Sequence, residues 1–464
     1  MERSTAEPSV SDLPGERATE WVDYHHRNAA TSTYVYDFVW DITSDAEGPF
    51  VTDVDGNVLM DFTSHVAAAP LGYNNPKIMD KLSEFDLVDP SKIAGQDFYV
   101  ATDSTGPEGA FPGPAHLMDR LTDITEHYGL DTVFLSNSGA EAVENAIKIS
   151  YDYRDGAKWA ITFDGAFHGR TLGTLSLNRS KSIHRRKFPE ISGVHDVPFC
   201  RDPECTAGTC ECGYFTGGSE VSELRRRLDP ESGNIHPDDV AYLVLEPIQG
   251  EGGYRIPSET FMQDVAAVTS RYDIPLVVDE IQSGVGRTGK LWASDHFAIE
   301  PDVITSAKAL RVGATIGKEK LFPDQKSRLS STWGAGDVLA AAQGTFTIEA
   351  IEEYDLMDNA IERGRQFRER LADAATDAVL DVRGLGLMLA IEFDTKDRRE
   401  AMIQALLRRG LLTLGAGARS VRFIPPLDVT EREIDIAASL VEDALQSPEV
   451  RQVGPSVADT GDAG

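Results

Sequence analysis

A chain of 464 residues with 41% apolar and 8% aromatic content is long enough for two or three domains around sizeable cores, which excludes a disordered or fibrous class. Its 76 acidic against 44 basic residues, the latter 13 Lys and 31 Arg, give a net charge of -32 and a pI near 4.6. Phosphate-rich partners and anionic membranes are repelled by such a surface, so neither nucleic acid nor membrane is an expected partner, and a Lys-poor, acid-rich exterior points to a halophilic origin.

The opening "MERSTAEPSVSDLPGERATE" has no apolar h-region, and no later segment approaches ~18 consecutive apolar residues, so a cytoplasmic protein is expected. Residues 1–20 read as a disordered tail. Residues 21–75 contain "GPFVTDVDGNVLMDFTS", whose "DG" is a hairpin signal, and form an N-terminal β element that joins a smaller domain. From 76 to 345 strand-like runs alternate with helical patterns, as in "DTVFLSN", "EAVENAIKISYDY", "KWAITFD", "VAYLVLEP" and "PDVITSA". That alternation predicts an α/β fold: a large domain with a mainly parallel sheet flanked by helices. Residues 346–448 change texture to long helices around "LDVRGLGLMLAIEF", a smaller α+β domain, and 449–464 read as a second disordered tail.

Within the large domain, "SNSGAEAVENAIKIS" offers Ser138 and Glu141 as a capping box opening a helix, with Gly139 allowing close backbone approach. Val143, Ala146, Ile147 and Ser150 to Tyr151 mark one helical face, and the free N–H groups at such a terminus favour a phosphate. Further on, "IPLVVDE" is a buried-type strand that ends in two carboxylates, and Asp279 at its end needs a cationic partner. The "GVGRTG" that follows satisfies the dinucleotide fingerprint, which raises a nicotinamide-dependent dehydrogenase as a remote alternative. Its context fails, because "DEIQS" separates it from the strand and no apolar helix opens at the third glycine; extended to Lys290 it also lacks the hydroxyl of a P-loop. Beyond the next strand, "SAKAL" sets Lys308 between small residues that leave space beside its amine. A lysine and a buried aspartate on neighbouring strand ends suit pyridoxal phosphate, the lysine forming a Schiff base and the aspartate holding the ring nitrogen protonated.

"SGAEAVENA", "FHGRT", "EPIQGEGG", "VVDEIQSGVGRTGKLWA", "SAKAL" and "SSTWGAG" together resemble class III pyridoxal-phosphate aminotransferases, from about residue 30 to 445. The resemblance implies a fold-type-I homodimer, or dimer of dimers, that moves the amino group of an ω-amino acid such as 4-aminobutyrate, lysine or ornithine to 2-oxoglutarate. It implies Lys308 and Asp279 as catalytic residues, and Ser138, Gly139 and Ala140 as the phosphate turn. Phe167 would cover the cofactor ring with His168 beside it, Glu246 and Gln282 would complete the cofactor site, and Thr332 would reach the phosphate of the neighbouring subunit. Arg170, Glu251 and Arg422 would bind substrate carboxylates, with Glu251 pairing with Arg422 to switch between donor and acceptor. "RLSSTWG", "RGLGLM" and "VRFIPPL" look closest to lysine 6-aminotransferases, "GAGD" departs from the "GGNP" of many members, and some relatives are amino-acid racemases with the same cofactor residues.

All four cysteines, Cys200, Cys205, Cys210 and Cys212, fall in "CRDPECTAGTCEC". A cytosolic disulfide framework is not expected there. C-x4-C-x4-C-x-C is not a zinc-ribbon spacing, yet four thiolates could close a tetrahedral zinc site or hold an iron–sulfur cluster; reduced surface thiols are the alternative.

Overall fold

The computed structural model describes residues 1–30, 38–85, 99–191, 193–216, 219–333 and 337–453. The chain divides into two compact units, Asp80–Tyr354 and a second built from Met1–Met79 together with the chain from Asp355 onward. The expected boundary at 345 moves to 354 because the helix Val338–Glu353 buries residues on all its faces within the larger unit.

The smaller unit begins with a hairpin of β1 (Phe50–Thr52) and β2 (Val58–Asp61), paired Phe50↔Met60. Its turn is the predicted "DG": Asp53 Oδ1 accepts from the N–H groups of Asp55 and Asn57, and Gly56 takes the positive φ of 88° that the reversal demands.

The chain then supplies the seven strands of the larger unit: β3 (Thr132–Ser136), β4 (Trp159–Phe163), β5 (Gly193–Val197), β6 (Val240–Leu245), β7 (Leu276–Asp279), β8 (Val303–Ser306) and β9 (Gly313–Gly317). They form one sheet in the order β3-β9-β8-β7-β6-β4-β5. Five strands from β8 to β5 run parallel, as the alternation predicts, and β9 alone is antiparallel to both neighbours. Every residue of β6, β7, β8 and β9 is buried, the consequence of helices on both faces and the reason β6 and β7 read as largely apolar runs. The helix Gly139–Tyr153 buries Val143, Ala146, Ile147 and Ser150.

Returning to the smaller unit, β10 (Val379–Leu385), β11 (Met388–Phe393), β13 (Leu414–Ala416) and β14 (Ser420–Phe423) form an antiparallel sheet in the order β10-β11-β14-β13. β12 (Leu411–Leu412) joins β2 in parallel and completes the N-terminal sheet. Residues 1–20 are not the expected loose tail. The Arg3 guanidinium pairs with Asp428 at 2.8 Å and Glu433 at 2.7 Å, Ser9 bridges Val58, and Glu16–Asn28 is helical. Polar composition concealed this because the partners of Arg3 lie more than 400 residues away, at the other end of the chain. At the C-terminus, Pro448–Arg451 is helical and the rest of the expected tail from 454 lies outside the described residues. Among the described residues no helix is long and apolar enough to cross a membrane.

Candidate active site

The two carboxylates that end "IPLVVDE" have separate partners. Asp279 is 5% exposed, and its Oδ2 lies 2.8 Å from His168 Nδ1 while Oδ1 accepts from the Ile281 N–H at 3.1 Å. A carboxylate can only accept, so Nδ1 carries the proton of this bond. His168 is itself buried, held by a backbone N–H that donates to Asn178 Oδ1 at 2.7 Å, and its Nε2 has no partner among the described residues. Glu280 turns the other way, accepting from Ser283 Oγ at 2.6 Å and from the N–H and Oγ of Ser294 at 2.7 Å; burial raises its pKa to about 6.

Lys308 starts a 3-10 turn immediately beyond β8, whose Thr305 is paired with Asp279 in register. Adjacent strand ends therefore deliver the lysine and the aspartate, as expected. On the other side of β7, Glu246 follows β6 and accepts from the N–H of Phe167 at 2.9 Å and of Gly250 at 2.8 Å. Burial, with the nearby Asp279 charge and against the opposing effect of His168, pushes the Glu246 carboxyl up to about 7. Gln282 Oε1 is buried without a partner among the described residues.

The helix N-terminus is built as predicted at one end of its capping box and differently at the other. Ser138 Oγ accepts from the Glu141 N–H, but the Glu141 carboxylate reaches back to the N–H of Asn137, one residue earlier, at 2.6 Å. That leaves the early N–H groups of the helix pointing outward. Close backbone approach closes the turn: a Cβ on Gly313 would lie 2.2 Å from the Ser138 carbonyl, and one on Gly169 would lie 2.8 Å from Ala140 Cβ. The second contact packs "FHGRT" directly on the turn. Thr332 Oγ1 accepts from Asn137 Nδ2 at 2.8 Å, so the threonine lies against the turn of its own chain. Of the "GAGD" that follows, residues 334–336 lie outside the described residues, and Asp337 caps the helix Val338–Glu353.

Arg170 and His184 border Phe167, and the Lys181 charge acts on His184. The Arg170 guanidinium is 5.6 Å from its ring centroid, the His184 ring meets it edge-on at 5.5 Å, and Lys181 Nζ lies 2.6 Å from Glu251 Oε1. Burial and the neighbouring Arg170 and Lys181 charges lower the His184 pKa. Sequence reading passed over Lys181, although the scarcity of lysine that singled out Lys308 applies equally to it. Arg422 lies on β14 of the smaller unit, buried and paired in register with Ala390 and Leu414. "GVGRTG" forms no phosphate loop: Val285, Gly286 and Gly289 turn at positive φ and no helix opens at the third glycine. A Cβ on Gly284 would meet the Glu280 carbonyl at 2.8 Å and the buried Trp292 ring at 3.0 Å, so this glycine serves packing.

A lysine and a histidine-backed aspartate at adjacent parallel strand ends, a glycine-closed helix N-terminus, and buried Gln282 Oε1 and His168 Nε2 awaiting partners fit pyridoxal phosphate. The fold and site are those of a pyridoxal-phosphate enzyme. Residues 35–445 match the family model described as aminotransferase class-III, and the chain belongs to that family. It is 32% identical to an acetylornithine aminotransferase of Synechocystis over 415 residues, 86% of this chain and 88% of that one. It is 30% identical to an alanine/serine racemase of Pyrococcus horikoshii over 455 residues, 93% of this chain and 91% of that one. The solved lysine aminotransferase of Mycobacterium tuberculosis superposes with a TM-score of 0.80 at 29% identity, covering 92% of this chain and 99% of that one.

Proposed function

We propose that this enzyme transfers the terminal amino group of an ω-amino acid, lysine, ornithine or 4-aminobutyrate, to 2-oxoglutarate, yielding a semialdehyde and glutamate. The observation that carries this reading is the Arg170 guanidinium against the Phe167 ring, with Lys181 held by Glu251, in a chain of net charge -32. A carboxylate held there leaves the far end of a short carbon chain, and hence its ω-amine, directed at the reacting centre.

Pyridoxal phosphate, when bound, supplies an aldehyde for amine capture and a ring that accepts the electron pair left on the substrate carbon. Asp279 provides the anion that keeps the ring nitrogen protonated, and His168 holds its orientation. Lys308 would hold the cofactor through its amine and would serve as the base that moves the proton from the substrate carbon. Ser138, Gly139 and Ala140 would hold the phosphate, Thr332 would reach the phosphate of the neighbouring subunit, Phe167 would cover the ring, and Gln282 would lie near its hydroxyl. Glu246 positions Phe167 through the backbone and keeps water from the buried face of the site. Arg422 would take the α-carboxylate of 2-oxoglutarate and Glu251 would act as its switch, in keeping with the family resemblance; in the structure Glu251 pairs with Lys181. The working form is proposed to be a homodimer or a dimer of dimers, in keeping with the family resemblance.

The test is product identification after incubation with 2-oxoglutarate and lysine, ornithine, N-acetylornithine, 4-aminobutyrate or plain α-amino acids. Glutamate and a semialdehyde from an ω-amino donor support the proposal. A second reading, an amino-acid racemase, is favoured by the relative from Pyrococcus horikoshii, which matches 93% of this chain. Enantiomer exchange without consumption of 2-oxoglutarate would establish it and overturn the first.

A further inference from the structure

We propose that Cys200, Cys205, Cys210 and Cys212 hold one structural zinc ion that fastens the segment between β5 and β6. The sulfurs of Cys200, Cys205 and Cys212 all lie within 4.8 Å of one another, and Cys210 Sγ is 3.1 Å from Cys212 Sγ. Four thiolates around zinc at ~2.3 Å place their sulfurs about 3.8 Å apart, a scale to which Cys200, Cys205 and Cys212 already converge, with Cys210 joined to them through Cys212. None of the four is bonded to another. A four-iron cluster would hold each thiolate on its own metal and needs them spread further, so a single tetrahedral ion suits this convergence better.

The surroundings suit a site with net negative charge. The Phe215 N–H donates to Cys210 Sγ at 3.3 Å, and Ser258 Oγ lies 3.5 Å from Cys200 Sγ. Ser258 is also the N-cap of the helix Glu259–Arg271, whose positive end therefore faces the cluster. The alternative of surface thiols fails for Cys200 and Cys205, which are buried in the core with Phe199, Tyr214 and Phe215. Binding would displace the thiol protons to solvent as the four thiolates form.

What the ion would do follows from the segment it closes. Between Val197 and Glu223 the described residues contain no helix or strand, yet Phe199, Tyr214 and Phe215 are packed as tightly as any regular element. A stretch this long needs a fastening to lose its freedom at acceptable cost. Its Phe199 contacts Phe163 and Phe261 with ring centroids 6.1 and 5.1 Å apart, and Phe163 ends β4 just ahead of "FHGRT". The site braces the wall behind Phe167 and His168 without touching the reacting groups.

Elemental analysis of the holoenzyme purified without chelator should find about one zinc per chain. In the same preparation a maleimide should label none of the four cysteines until 1,10-phenanthroline is added, and then all four, with faster proteolysis inside residues 198–222. Cys200→Ser with Cys210→Ser should lose the zinc and melt at lower temperature while retaining pyridoxal phosphate. Because that variant could fail to fold, the chelator experiment on the unaltered enzyme decides alone. Iron with visible charge-transfer absorption, a mass lower by two hydrogens per cystine, or metal-free protein whose thiols react at once would each overturn the proposal, whatever the substrate proves to be.

Discussion

Replacing Asp279 by Asn separates the charge of this residue from its place in the fold. The amide can keep both contacts: its oxygen accepts from the Ile281 N–H, and its NH2 donates to His168 Nδ1 once the imidazole proton has moved to Nε2. The cost is a buried Nε2–H that has no acceptor among the described residues, about 1–2 kcal/mol of stability. The chemical cost is larger. At 5% exposure Asp279 is little screened by solvent, and an ion pair at ~4 Å in an effective dielectric of ~20 is worth about 4 kcal/mol, or roughly a thousandfold in rate. Asp279→Asn should therefore bind pyridoxal phosphate and melt within a few degrees of wild type, while its single-turnover half-reaction with the amino donor slows by about three orders of magnitude. Nitrogen-15 NMR should report His168 protonated at Nε2 instead of Nδ1. Wild-type turnover, or a collapse of the fold accompanying the loss of rate, would refute the division between charge and structure.

Borohydride reduction of the holoenzyme should fix the cofactor on the peptide containing Lys308, and Lys308→Ala should lose that label; attachment to another lysine would reassign the site. The raised carboxyl of Glu246 makes the folded state bind a proton more tightly than the unfolded chain, so its contribution is present below pH ~4.5 and is lost as pH rises through about 7. Glu246→Gln should flatten the fall in apoenzyme melting temperature over that window, and an unchanged slope would mean that Glu246 ionises normally. Lys181→Ala should raise KM for 4-aminobutyrate about tenfold, the order expected for one charged hydrogen bond, with a smaller change in kcat. Glu251→Ala should slow the half-reaction with the ω-amino donor while sparing that with glutamate. Equal losses in both half-reactions would make Glu251 a fixed partner of Lys181.

The large sheet was legible because strands covered on both faces are mostly apolar, so β6 and β7 appear in the sequence as apolar runs and β8 opens as one before Thr305 and Ser306. Lys308, Asp279 and Ser138 were legible for a related reason: a polar residue at the end of such a run is conspicuous. The antiparallel β9 was not, since direction leaves no mark on five residues, and Gly313 is explained only by the carbonyl it must clear. Pairings between distant segments were equally hidden. His168 and Asp279 are 111 residues apart and Lys181 and Glu251 are 70 apart, and no local pattern encodes which acid a cation will meet. The cysteine cluster lay between these cases: its density was obvious, but the irregular spacing matched no known frame until the loop brought the sulfurs together.

The attachment of Arg3 to Asp428 and Glu433 has a bearing on how the protein is made. On a ribosome the first residues emerge long before their partners exist, so this segment must wait, unsatisfied, through synthesis of the contiguous stretch Asp80–Tyr354. The larger unit can condense while translation proceeds; the smaller one can finish only once Asp428 and Glu433 have been made.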